Sequence, residues 1–169
     1  MDVDEIDAFI AEAKTLQGPH PLWSVAARPR QHEATWNVAD ALGIVRAHLR
    51  FRCAHGNRLC PSMSLVFGGA PIWRIDLEEA SVRKFNPPDA AAVGLPPSFV
   101  GSHEHRWADN REYVRTQAAG TLPYRRPLPR QIRQLHQAIH HLAEQINIAL
   151  SPDQFGFEVP PQQELFERR

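Results

Sequence analysis

Apolar residues recur at helical spacing near the start of the chain: Ile6, Phe9, Ile10 and Ala13 share one side. Gly18 and Pro19 stop the run, so the spacing predicts a helix over 3–16, with early acids at the positive end of its dipole. Residues 22–28 and 35–38 read as short strands. The clearest alternation lies in Ile44–Cys53. Val45, Ala47, Leu49, Phe51 and Cys53 point one way, while Arg46, His48, Arg50 and Arg52 point the other. One side of that strand is core and the other is basic.

Ser62–Phe67 and Ile72–Leu77 flank Gly68, Gly69, Ala70 and Pro71, a four-residue hairpin signal. Val82–Phe85 follows after a turn, and the short connections predict an antiparallel meander. Residues 86–98, with four prolines, read as a loop, and Phe99–Trp107 alternates as a further strand. Asp109 and Asn110 are caps for a short helix that Gly120 ends. Thr121–Pro129 reads as an extended linker. Gln131–Leu150 is expected to be the longest helix, with Ile132, Leu135, Ile139, Leu142, Ile146 and Leu150 as its apolar stripe. The expected fold is α+β: an antiparallel β-meander sheet packed by a long C-terminal amphipathic helix, with an N-terminal helix. Residues 1–150 form a single domain on this reading, and 151–169 a tail with a docking peptide.

Composition narrows the function classes. At 169 residues, 43% hydrophobic and 22% charged, the chain has the means to bury a core without staples, which excludes disordered and collagen-like classes. No apolar run approaches the roughly 18–20 residues that span a bilayer. An acidic start lacks the pattern of an export signal, and two cysteines do not make a disulfide scaffold, so a cytoplasmic setting is expected. Lys+Arg and Asp+Glu both number 19, which excludes a generally basic nucleic-acid coat. The balance is uneven, however. Residues 2–12 hold five acids and no base, leaving 19 bases against 14 acids in the remainder. Arg106–Arg133 carries seven arginines, and Arg125 and Arg126 join Arg46, Arg50 and Arg52 as candidate anion-binding residues. On the basic strand, same-side residues are spaced about 6.6–6.8 Å apart, which roughly tracks a nucleic-acid backbone. Asp76, in a nearby strand, is the cross-sheet partner that would neutralise them instead.

Three groups carry candidate chemistry. Cys53, His55 and Cys60 offer two thiols and an imidazole within eight residues, a donor set for zinc. The alternative is a core Cys53 beside an incidental loop. His103 and His105 form an H-x-H that a strand projects to one side, suiting two ligands of one metal or a catalytic pair, with Glu104 facing away. A structural pair hydrogen-bonded within the sheet is the alternative. His136 and His140 stand at i, i+4 beside the apolar stripe and read as boundary residues. No Gly-rich phosphate loop follows a strand, and no serine has a nucleophile-elbow context.

The order of a strand, Phe67 to Pro71, a second strand, His103-x-His105 and a late helix resembles uncharacterised small bacterial and phage proteins. That resemblance implies a mobile-element, defence, counter-defence or toxin–antitoxin setting and assigns no activity. Near the C-terminus, Gln162, Leu165 and Phe166 match the short peptide by which bacterial replication and repair proteins dock on the sliding clamp. Gln163 and Glu164 depart from it. Two prolines before it limit the entropy lost on docking, and Leu165 and Phe166 suit an apolar pocket. The intramolecular alternative has Leu165 and Phe166 covering the domain's own core. Two functions follow. One is a non-enzymatic macromolecule-binding or inhibitor protein with a protein partner, the sliding clamp, or nucleic acid. The other is a small metal- or histidine-dependent, nuclease-like enzyme centred on His103 and His105.

Overall fold

Asp2 opens the first helix, its carboxylate accepting hydrogen bonds from the backbone N–H groups of Asp4 and Glu5. This computed structural model describes residues 2–25, 31–117 and 120–160. In chain order the elements are α1 (Val3–Ala11), β1 (Lys14–Leu16), β2 (Ser24–Val25), β3 (Gln31–Asp40), β4 (Val45–Ala54), β5 (Asn57–Phe67), β6 (Ala70–Asp76) and β7 (Arg83–Phe85). Then follow β8 (Ser98–Val100), β9 (His103–His105), α2 (Trp107–Gln117), β10 (Arg126–Pro127), α3 (Leu135–Gln145) and β11 (Ile148–Ala149). The main sheet runs β10-β9-β6-β5-β4-β3-β1-β11, with β2 also paired to β3, and β7 and β8 form a separate ribbon. Pairing is antiparallel apart from the parallel contact of β1 with β11.

Strand alternation gives the sheet two unlike sides. Trp36, Leu49, Phe51, Met63, Leu65 and Ile75 are buried in one cluster with Ile6 and Phe9 of α1 and Leu135, Ile139 and Leu142 of α3. On the opposite side, Thr35, Asn37, Arg52 and Arg74 are exposed, and Arg50, Ser62 and Ser64 are half-buried. The core extends past residue 150, because Phe157 and Val159 belong to the same cluster. No helix among the described residues is long and apolar enough to cross a membrane.

The α+β class with a mostly antiparallel sheet agrees with the sequence; several elements do not. The long C-terminal helix is the main correction. Only Leu135–Gln145 is helical. The backbone leaves the helix at Ile146 (φ −126°), Asn147 turns left-handed (φ 56°), and Ile148–Ala149 pairs with β1. At the other end, Gln134 and Gln137 form a capping box, and the Glu158 carboxylate accepts from the N–H of Leu135 and His136. Ile132 and Ile146 are buried all the same, so the stripe is real core but overruns the helix. The N-terminal helix likewise stops early, because Lys14–Leu16 pairs with β3.

The meander also differs. Val82–Phe85 does not extend the main sheet; Arg83–Phe85 leaves it to pair with Ser98–Val100, and β9 takes the place beside β6. The single strand expected over Phe99–Trp107 is therefore two strands, separated at Gly101 (φ 83°). A Cβ there would lie 3.5 Å from the Cα of Ala80, an ordinary contact, so it is the left-handed turn and not space that favours glycine. Thr121–Pro129, expected as linker, supplies the edge strand β10.

Candidate metal centre

Sheet register assembles the site. Asp76 lies directly opposite His103, and Arg74 opposite His105. Side chains two apart on a strand share a side, so these four residues emerge together. Asp76, His103 and His105 are all buried, and one donor atom from each lies within 4.8 Å of the other two. Asp76 Oδ2 is 3.4 Å from His103 Nε2 and 3.7 Å from His105 Nε2. Two donors bound at tetrahedral angles to one zinc-sized ion stand about 3.3–3.6 Å apart, and these two separations are close to that span.

The protonation pattern sharpens this. His105 Nδ1 is 2.5 Å from the carbonyl oxygen of Leu122, which can only accept, so Nδ1 carries the proton. That leaves His105 Nε2 as the ring atom that faces Asp76 Oδ2. Burial pushes His103 down to about 4 against the opposing pull of Asp76, which disfavours a proton there at neutral pH. Burial alone would raise Asp76, but contacts with His105 and Arg74 outweigh it and hold the carboxyl at about 2. Asp76 Oδ2, His103 Nε2 and His105 Nε2 thus face one another across β6 and β9. His103 Nδ1, also buried, has no hydrogen-bond partner among the described residues.

Outer contacts hold this arrangement. Arg74 donates from Nε and Nη2 to Asp76 Oδ1, at 3.0 and 2.7 Å, leaving Oδ2 for the two imidazoles. The Leu122 carbonyl belongs to a segment fixed by two buried asparagines. Asn110 exchanges hydrogen bonds with the backbone of Tyr124, and Asn86 does the same with Arg125. The Phe99 ring lies 5.5 Å from the His103 ring, closing that side. Between β5 and the turn after β6 opens a groove of about 330 Å³ whose walls include Cys60, Asp76, Glu78 and Val82. Glu78 pairs with Lys84 on the adjoining ribbon.

Glu104 points the other way, into the core, as strand alternation requires. It accepts from Trp73, Arg106 and His141; burial pushes its carboxyl up, but His141 and Arg106 outweigh that and hold it below the ordinary value. Among the described residues, Asp76, His103 and His105 form the one group of three such donors that converges. Cys53 does not join it. Burial, then the neighbouring Cys60, pushes its thiol up to about 11, with Arg58 opposing, and its Sγ faces the carbonyls of Ala54 and Asn57. His55 stacks on His32 and Cys60 is half-buried.

The candidate anion-binding arginines are dispersed. Arg46 lies over the rings of Phe9 and Phe67 and pairs with Glu5 and Glu12. Arg52 stands 3.9 Å from Glu33, Arg126 is bidentate on Asp109, and Arg125 reaches the carbonyl of Phe85. The acidic N-terminus meets part of the basic run, through Arg111 on Asp7 and Asp4. His136 pairs with Glu158, and His140 packs on Phe155. Gln162, Leu165 and Phe166 lie outside the described residues.

Sequence reading isolated both histidines but missed Asp76 as their third partner, treating it only as a neighbour of the arginine face. Its signal was present: an acid ending an apolar strand, Ile75–Asp76, in a hairpin of fixed register. The chain matches no family model, no curated protein and no solved structure.

Proposed function

We propose that this chain is a small metal-dependent enzyme of the hydrolytic, nuclease-like type, its divalent cation held by Asp76 Oδ2, His103 Nε2 and His105 Nε2. The observation that carries the reading is the convergence of one buried ligand-type atom each from Asp76, His103 and His105, with His105 Nδ1 taken up by Leu122 O so that Nε2 is the atom left to face the others. Two imidazoles and one carboxylate suit Zn²⁺, and the same set serves Fe²⁺. Three protein ligands leave room for water or substrate, the condition for Lewis-acid chemistry rather than a closed structural site. Of the three, Asp76 also lines the groove between β5 and the turn after β6. Cytoplasmic placement and a bacterial or phage setting remain part of the reading. Docking on the sliding clamp through Gln162, Leu165 and Phe166 is a separate proposal on which the fold of the described residues does not bear.

Metal content decides the matter. The full chain, reconstituted with zinc and desalted, is expected to retain one equivalent by elemental analysis. Asp76→Asn and His103→Ala are expected to lose it, whereas Cys60→Ala keeps it. Substoichiometric zinc, iron and manganese in the wild type would overturn the proposal. Loss on Cys60→Ala with retention in His103→Ala would move the site to Cys53, His55 and Cys60.

A further inference from the structure

The side of the sheet that the described residues leave uncovered runs into the cluster of Asp76, His103 and His105. Cross-strand register sets Thr35, Arg50, Ser64, Arg74 and His105 in one continuous row over β3, β4, β5, β6 and β9. Neighbouring strands are about 4.8 Å apart, so the backbones of Arg50 and Arg74 stand roughly 10 Å apart with Ser64 between them. Both side chains are long enough to close on one group above that serine. Arg74 is already oriented, because Nε and Nη2 are bound to Asp76 while the side chain stays about half exposed (48%), with Nη1 unassigned. Arg50 is half-buried in mid-sheet and makes no hydrogen bond or ion pair among the described residues. A guanidinium usually enters such a position with a carboxylate or an anionic ligand to meet its donor fork. The nearby His48 is pushed down by burial and then by the Arg50 charge, so it offers no compensation.

We propose that this row is a phosphoryl-binding site: Arg50 and Arg74 hold the oxygens of a phosphate ester over Ser64, beside the ion at Asp76, His103 and His105. The inference rests on the metal-centre reading for where the ester lies relative to that ion, and on the bare sheet row for the anion itself. The open guanidinium fork of Arg50, the N–H groups that Arg74 does not spend on Asp76 and a hydroxyl match the several oxygens of a phosphoryl group better than the two of a carboxylate. The shared chemistry comes from two sources, a small phosphate monoester or the backbone of a polynucleotide.

The test uses the full chain, zinc-loaded and zinc-stripped. Calorimetry follows inorganic phosphate and thymidine monophosphate, and anisotropy follows a labelled single-stranded dodecathymidylate, with acetate as a control anion. At least one phosphate probe is expected to bind, and acetate is not. Arg50→Gln is expected to weaken that binding by about tenfold or more, the scale of one lost charged hydrogen bond. Zinc stoichiometry and thermal midpoint stay unchanged, and Arg50→Lys recovers part of the affinity. If the dodecamer binds, Arg50→Gln also reduces its salt slope by about one charge. Binding of the dodecamer without the monophosphate assigns a polynucleotide backbone, and comparable binding of the monophosphate assigns a small ester; either supports the site. No phosphate binding at millimolar concentration in either metal state overturns it, and so does an Arg50→Gln variant that binds like the wild type. The two readings fail separately: Arg50-dependent binding without stoichiometric zinc removes the metal centre alone, and zinc without Arg50-dependent binding removes the phosphoryl site alone.

Discussion

Glu104→Leu probes the bracing of the centre from behind. Glu104 is fully buried between His103 and His105, and its two oxygens accept from Trp73 Nε1 at 3.3 Å, His141 Nε2 at 3.1 Å and Arg106 Nε at 2.6 Å. Leucine keeps comparable bulk but leaves all three donors unmet, two of them on largely buried residues. Breaking a buried charged network by removing one member costs about 3–5 kcal/mol. Domains of this kind have a total stability of only about 5–15 kcal/mol, so the change is large. For a chain of this length each kcal/mol moves the midpoint by about 2–4 °C, which predicts a fall of roughly 6–20 °C. Thermal and urea unfolding followed by circular dichroism at pH 7 measure it. Glu104→Gln, which keeps an accepting oxygen but not the charge, is expected to fall between wild type and Glu104→Leu. A loss below about 1 kcal/mol in both variants would refute the reasoning, because the donors would then have found partners elsewhere.

Thiol chemistry should separate the two cysteines: at pH 8 the folded protein is expected to take one equivalent of a thiol reagent quickly, at Cys60. Rapid labelling of Cys60→Ser, or of both thiols before unfolding, would contradict the raised thiol and burial of Cys53. Lys14 gives a pH dependence. Its buried ammonium donates to the carbonyls of Phe9, Ile10 and Glu12, and burial pushes it down to about 8, with Glu12 opposing. In the unfolded chain a lysine titrates near 10.4, so between about pH 8 and 10.4 the unfolded state binds more protons and stability from this group rises with pH. The midpoint of wild type minus that of Lys14→Met is expected to increase over that window, and a flat or falling difference would count against it.

Local periodicity made the strand interiors legible, because burial on one side imposes a period of two that no other element shares. Ala47, Leu49, Phe51 and Cys53 are buried as read, whereas Val45, beyond a register shift, is exposed. Period alone does not mark where an apolar stripe stops being helical. Ile132 and Ile146 keep the spacing of a helix while their backbones are extended or turning, since a core accepts apolar side chains from any backbone. Long-range order was less legible still. Whether β7 or β9 sits beside β6 depends on a left-handed turn at Gly101 and a ribbon that pairs with itself. Asp76 became a ligand candidate only once that choice was known.

The position of β9 explains why three successive residues serve two environments. A strand sends neighbours to opposite sides, so His103 and His105 reach the centre while Glu104 anchors the same backbone to Trp73 and α3. Rigidity for the two histidines therefore comes from the core side of β9 rather than from the open side of the sheet. The outer neighbour adds to this. β10 is an edge strand that sets Pro127 opposite His103. Proline has no N–H to offer a further strand, so the sheet ends there and the edge resists pairing with another chain. Two asparagines then hold the backbone leading into β10, which carries the Leu122 carbonyl that selects the tautomer of His105. Asn110→Ala would leave the three ligands in place but free that carbonyl. The expected result is a weaker zinc affinity with the two imidazoles intact, on the scale of about 10–100-fold for a lost outer-shell partner. Unchanged affinity in a competition titration would show that the tautomer is fixed by the ligands themselves.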